Sequence, residues 1–122
     1  MQTEIKVCDK MLAAFHLMYD NFPESAMLIH KSKTIVAINP AAKKNGREVG
    51  TACGKNNTPE SHQGCLALKA LSLQKPMYRV LQAPSVIDGE FLAFWLPLDD
   101  YADFYVHFTV GRTIDYRAAD IE

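Results

Sequence analysis

Between Asp103 and Val110 the side chains alternate, with Phe104, Val106, Phe108 and Val110 on one side and Tyr105, His107 and Thr109 on the other. A period of two marks a β-strand whose two faces meet different surroundings, here one buried face and one at least partly polar. Two further β-rich runs precede it, Met77–Ala83 and Glu90–Leu96, with Asp88–Gly89 and the segment Pro97–Tyr101 supplying turns. Earlier in the chain Ala26–His30 and Thr34–Asn39 flank the polar Lys31–Ser32–Lys33 and read as a hairpin. With 122 residues there is room for one domain and one modest core.

Helical periodicity is confined to the front and the middle. Ile5, Cys8, Leu12, Phe15, Tyr19 and Phe22 recur at spacings of three and four and predict a helix over residues 3–22. A second stripe, Val7, Met11, Ala14 and Met18, lies about 100° round the axis. The apolar arc therefore covers about half of the circumference, enough for two surfaces: the helix's own domain and a second copy, with Val7, Met11, Phe15 and Met18 at the dimer interface. A helix sunk deep in its own core is the alternative. Asn21–Phe22–Pro23 stops this helix, because proline disfavours helical backbone in the residue before it. Asn39 and Pro40 read as N-cap and first position of a short helix over Ala41–Asn45, ended by Gly46. Residues 46–64 carry four of the six glycines and no apolar period, so they read as an irregular connector. A further helix is expected from about Gly64 to Leu73, with Cys65, Leu66, Leu68 (or Lys69) and Leu73 available to face inward, before Pro76.

Charge and cysteine content exclude several classes. Net charge is −1, so no global field recruits nucleic acid or an anionic membrane. Residues 31–55 hold six basic side chains and one acid, Glu48, without interleaved aromatics, which reads as a solvated face. No uncharged run approaches the roughly 18–20 residues of a membrane span. Three cysteines are too few for a disulfide-built secreted scaffold, so a cytosolic domain with free thiols is expected.

The run Ile38–Asn39–Pro40–Ala41–Ala42 with Gly46 and Gly50 after it, and Gly111–Arg112–Thr113–Ile114–Asp115–Tyr116–Arg117 after the last strand, resembles the PAS sensory domain family. The resemblance covers roughly residues 22–117. It implies an α+β fold: a five-stranded antiparallel sheet with short helices over one face, an apolar cavity between them, and an N-terminal flanking helix through which such domains pair. The expected organisation is a flanking helix at 1–22, a PAS-like domain at 23–117 and the start of an effector linker at 118–122. Such a cavity would be lined by Val36, Ile38, Cys65, Leu66, Leu73, Phe94, Trp95, His107 and Phe108.

Three side chains invite cofactor chemistry. Cys53 lies in Gly50–Thr51–Ala52–Cys53–Gly54–Lys55–Asn56–Asn57, superficially similar to the photoreactive cysteine loop of LOV domains. The aromatic and glutamine positions that hold a flavin there are replaced, so flavin is not expected and the resemblance is to PAS domains outside the LOV type. Cys53, His62 and Cys65 form a C-x8-H-x2-C spacing with no fourth ligand for a structural metal. It reads as a loop thiol, an exposed histidine and a small buried cysteine, with a Cys53–Cys65 redox pair as the alternative. His62 stands just before a helix where haem-binding PAS domains carry an axial ligand; no further haem signal accompanies it and haem is not expected.

The resemblance implies a non-enzymatic module of a bacterial signalling protein. It would detect a small molecule or redox state, work as a homodimer, and act on an attached or partner effector such as a histidine kinase or a cyclic-dinucleotide enzyme. Two alternatives stand beside it. One is a small cone-shaped enzyme of ketosteroid-isomerase type using Asp103, Tyr105 and His107; the early hairpin argues against that order of elements. The other is a dimerisation module with a filled core.

Overall fold

The computed structural model describes residues 5–52 and 65–117. Three helices and five strands follow in the order α1 (Asp9–Tyr19), β1 (Ala26–His30), β2 (Ile35–Ile38), α2 (Pro40–Lys44), α3 (Ala67–Leu73), β3 (Met77–Gln82), β4 (Glu90–Leu98) and β5 (Tyr101–Val110). The strands form one sheet in the order β2-β1-β5-β4-β3, and every neighbouring pair is antiparallel. The longest strand, β5, is therefore central, and it is also the strand that runs into the C-terminal segment.

Alternation along β5 sorts the core into two layers. Tyr105 shares one face with Met27, Ile29, Ala93 and Trp95, under the alanines Ala42 of α2 and Ala67 and Ala70 of α3. Phe104 and Val106 share the opposite face with Ala26 and Leu28, against Met11 and Phe15 of α1. The short helices α2 and α3 roof one face, as expected, and so bury Tyr105 and Thr109 on the side of β5 that alternation marked as partly polar; the N-terminal flanking helix α1 covers the opposite face.

Helix α1 is shorter than its apolar stripes predict. Cys8 takes an extended backbone (φ −79°, ψ 131°) and caps the helix without a side-chain bond, so the described residues 5–8 lie outside it. Ile5 and Val7 nevertheless pack against the second layer, which is the reason the periodicity ran through them. Strand β4 also runs two residues further than expected, through Pro97. Strand β3 begins only at Met77, opposite Trp95, so no ladder on that side needs the N–H that proline lacks.

Two buried polar side chains hold the ends of these elements together. Asn39 is 1% exposed. Its Nδ2 donates to the carbonyls of Tyr19, Phe22 and Glu24 at 3.0–3.2 Å, and its Oδ1 accepts from the N–H groups of Ala26 and Ala42. One side chain thus caps α2, aligns the start of β1 and fixes the turn after α1, satisfying backbone groups that would otherwise be buried unpaired. Glu24, whose carbonyl Asn39 binds, performs a matching role at the same end of the sheet, where the chain leaves β5.

Candidate functional site

The roofed face of the sheet centres on Trp95 and His107, which stand opposite each other on β4 and β5. Their rings stack at 5.0 Å between centroids with 14° between planes. The Nδ1 of His107 lies 2.8 Å from the carbonyl of Phe94. A carbonyl only accepts, so Nδ1 carries the proton and Nε2 of the neutral ring keeps its lone pair. Burial pushes the His107 pKa down to about 4, and the charges of Arg47, Arg112 and Lys33 push the same way against the carbonyl bond. At neutral pH this face therefore presents an uncharged imidazole with one acceptor, set among aliphatic and aromatic side chains and small roof residues.

Of the residues expected to line an inner cavity, Ile38, Cys65, Leu66 and Trp95 belong to this layer, and His107 stacks within it. Cys65 Sγ lies 3.4 Å from the Lys33 ammonium, which donates to it from the β1–β2 turn. Val36, Phe94 and Phe108 do not belong here. Phe94 and Phe108 stack on each other at 4.9 Å, and Phe108 and Val36 pack in the α1 layer. Neighbours along a strand face opposite ways, so Phe94 and Trp95 cannot share a face. The irregular register between Leu28 and Ile29 accounts for Val36, an extra residue of β2 that stands opposite no partner in β1. Leu73 ends α3 half-exposed and outside both layers. Cys53 and His62 lie outside the described residues.

Glu24, which no sequence motif singled out, clasps the chain where it leaves β5. It is fully buried. One carboxylate oxygen accepts from Gly111 N–H at 2.6 Å and the Tyr116 hydroxyl at 2.8 Å. The other accepts from the N–H groups of Arg112 and Thr113, both at 3.0 Å, and from the Thr113 hydroxyl at 3.2 Å. Burial, followed by the bond to Glu24 and its charge, holds the Tyr116 phenol up at about 12. Gly111 turns at φ +93°, the backbone region that favours glycine, and a Cβ there would come within 2.8 Å of Ile87 Cδ1, so that side chain would have to shift. A signal for Glu24 existed in retrospect: an acid directly before a β-run, with a Gly-Arg-Thr turn at the far end of the chain.

The outer layer leaves an open apolar groove of about 350 Å³ beside α1, with Met11, Ala14, Met18, Leu96, Leu98 and Tyr101 among its walls. Met11 and Phe15, expected at a dimer interface, are each 4% exposed and are buried on the protomer's own sheet. Val7 is half-buried against the same layer. Met18 at 71% and Leu17 at 86% are the large exposed apolar side chains of this helix. The trio Asp103, Tyr105 and His107 does not converge on a reacting centre: Asp103 is exposed and pairs with Lys31 at 3.4 Å, whereas Tyr105 is buried among apolar neighbours. Among the described residues no cluster of three or more metal-ligating side chains occurs, and no helix is long and apolar enough to cross a membrane.

No family model matches the chain, and no curated protein matches it. Solved structures do. The Rhodobacter sphaeroides LOV protein superposes with a TM-score of 0.62 at 18% identity, over 94% of this chain and 73% of that one. Its d2 variant gives 0.60 at 16%, over 86% and 68%. The PAS domain of Bordetella pertussis BvgS gives 0.45 at 12%, over 84% and 83%. At these identities the likeness is one of fold, and since LOV domains are a PAS subtype, the expectation that this chain lies outside the LOV type is not borne out. The chain has the five-stranded antiparallel α+β fold of PAS-like domains.

Proposed function

We propose that the chain is a non-enzymatic sensory module that takes a small molecule between α2, α3 and the sheet and passes occupancy to an effector through its C-terminal exit. One observation carries this reading. The central strand β5 bears Tyr105, His107 and Thr109 on the roofed side and within one residue of its end enters the Glu24 clasp. Repacking beside His107 therefore acts on the strand whose end sets the exit, and a ligand shifts the exit by its differential affinity for the two arrangements. The roof is made of short helices presenting alanines, the least costly cover to displace.

Homodimerisation through α1 belongs to the same proposal. The exposed Leu17 and Met18 beside the apolar groove suit a second copy of α1, with Met11 and Phe15 keeping the helix on its own sheet. Native mass spectrometry of freshly purified protein tests both parts in one spectrum. A dimer carrying an extra small-molecule mass is the expected result, with Met18→Glu reducing it to a monomer. A bare monomer at every concentration overturns the reading.

A further inference from the structure

At the end of the sheet where β5 leaves, a cavity of about 230 Å³ is lined by Ser25, Asn45, Arg47, Thr109, Arg112 and Thr113. That is below the range of about 300–1,000 Å³ typical of sites for drug-sized ligands, so its occupant is small. The lining is chemically one-sided: two guanidiniums, three hydroxyls and an amide, with no carboxylate. Arg112 is held in place by its backbone, which Glu24 binds, and by its guanidinium lying 5.6 Å over the Phe91 ring. Among the described residues that guanidinium makes no ion pair or hydrogen bond, because both oxygens of Glu24 are occupied by the backbone, Thr113 and Tyr116. Ser25 Oγ accepts from the Asn45 amide at 2.7 Å, so its own hydrogen remains to donate. Thr109, 6% exposed, has no side-chain bond among the described residues.

We propose that this cavity binds a small oxyanion, a carboxylate or a phosphate group, held by Arg112 and Arg47 with the Ser25 and Thr109 hydroxyls as further donors. A guanidinium fork matches the two oxygens of either group, and partial burial strengthens the pairing. Burial and then the neighbouring Arg47 charge lower the Arg112 pKa, with Glu24 opposing; an anion seated beside both guanidiniums relieves that strain. The binding site stands whether or not the chain is a sensor. What the sensory reading adds is that the anion also alters the exit, because Arg112 and Thr113 contribute both to this cavity and to the Glu24 clasp.

The test is an NMR titration of the 122-residue chain with sodium succinate in one arm and inorganic phosphate in the other, against sodium chloride at matched ionic strength. Saturable shifts at Ser25, Thr109, Arg112 and Thr113 in one arm or both are expected, and the arm with the lower Kd names the head group. Arg112→Gln keeps the backbone clasp and should weaken binding about 10- to 100-fold, the factor that losing one charge-assisted bond gives. Ser25→Ala, milder still, should weaken it by a few-fold. No saturable shift by about 10 mM in either arm, or an unchanged Kd in Arg112→Gln, overturns the site. Saturable binding with unmoved hydrogen exchange at residues 111–113 upholds the site and fails the sensory coupling instead.

Discussion

Replacing Glu24 with glutamine puts an N–H₂ group where the Gly111 N–H and the Tyr116 hydroxyl now donate, or, in the flipped rotamer, where Arg112 and Thr113 donate. Either way donors face donors inside a site with no exposure to water. Hydrogen bonds to a charged group contribute about 1.5–3 kcal/mol each, and a buried donor left without a partner costs about 1–3 kcal/mol. Five such bonds end on this carboxylate. They share one side chain and do not add, so we expect Glu24→Gln to cost about 2–4 kcal/mol and Glu24→Ala about 3–5 kcal/mol. Against the roughly 5–15 kcal/mol that holds a domain of this size, this is a large fraction of stability. At about 3–5 °C per kcal/mol, Tm of Glu24→Gln should fall by roughly 6–20 °C. Urea denaturation gives the free energy, and hydrogen exchange gives its location: the amides of Gly111, Arg112 and Thr113 should lose protection first. A Glu24→Gln protein within about 0.5 kcal/mol of the parent, the range of an ordinary surface change, with those amides still protected, would refute the clasp.

Three further outcomes follow from other residues. His107 has a folded-state pKa of about 4 against an ordinary 6.5, so between those values the unfolded chain binds the extra proton. Its contribution is complete above about pH 6.5 and is lost as pH falls towards 4, up to about 3 kcal/mol, and His107→Phe should flatten that slope in denaturation curves at pH 7 and pH 5. Gly111→Ala must accept φ +93° and a 2.8 Å approach to Ile87, and should cost about 2–3 kcal/mol by thermal melting, with Ile87→Ala recovering the steric part. Asn39→Ala removes the partner of five backbone groups and should cost about 2–4 kcal/mol in the same assay, while Asn39→Asp, which keeps the cap on Ala42 but turns a buried carboxylate oxygen onto the carbonyls of Tyr19, Phe22 and Glu24, should cost at least as much.

Local pattern was enough for the strands and short helices because each announces itself within a few residues. Alternation sets β5, the polar Lys31–Lys33 turn sets the first hairpin, and Asn39–Pro40 starts α2 where the Asn39 side chain indeed accepts from Ala42. What the sequence hid was long-range. The side of the sheet on which α1 settles depends on both faces of β5 being apolar, and an apolar stripe looks the same whether it meets its own sheet or another copy. The bulge that takes Val36 out of the roofed layer is set by pairing with β1, invisible from β2 alone. Glu24 meets its donors 87–92 residues away, and a single acid before a β-run carries no periodicity. The exit cavity is likewise assembled from side chains between Ser25 and Thr113 that share no motif.

In the proposed sensor the face under α2 and α3 communicates with the exit through β5. Trp95→Ala removes the indole that stacks on His107, and an apolar space of that kind takes up a matching free ligand, so indole serves as a probe of known position. Hydrogen exchange on this variant with and without indole measures the coupling. Indole should restore protection in β4 and β5 and also change protection at Gly111, Arg112 and Thr113. Restored strands with those three amides unmoved would contradict it.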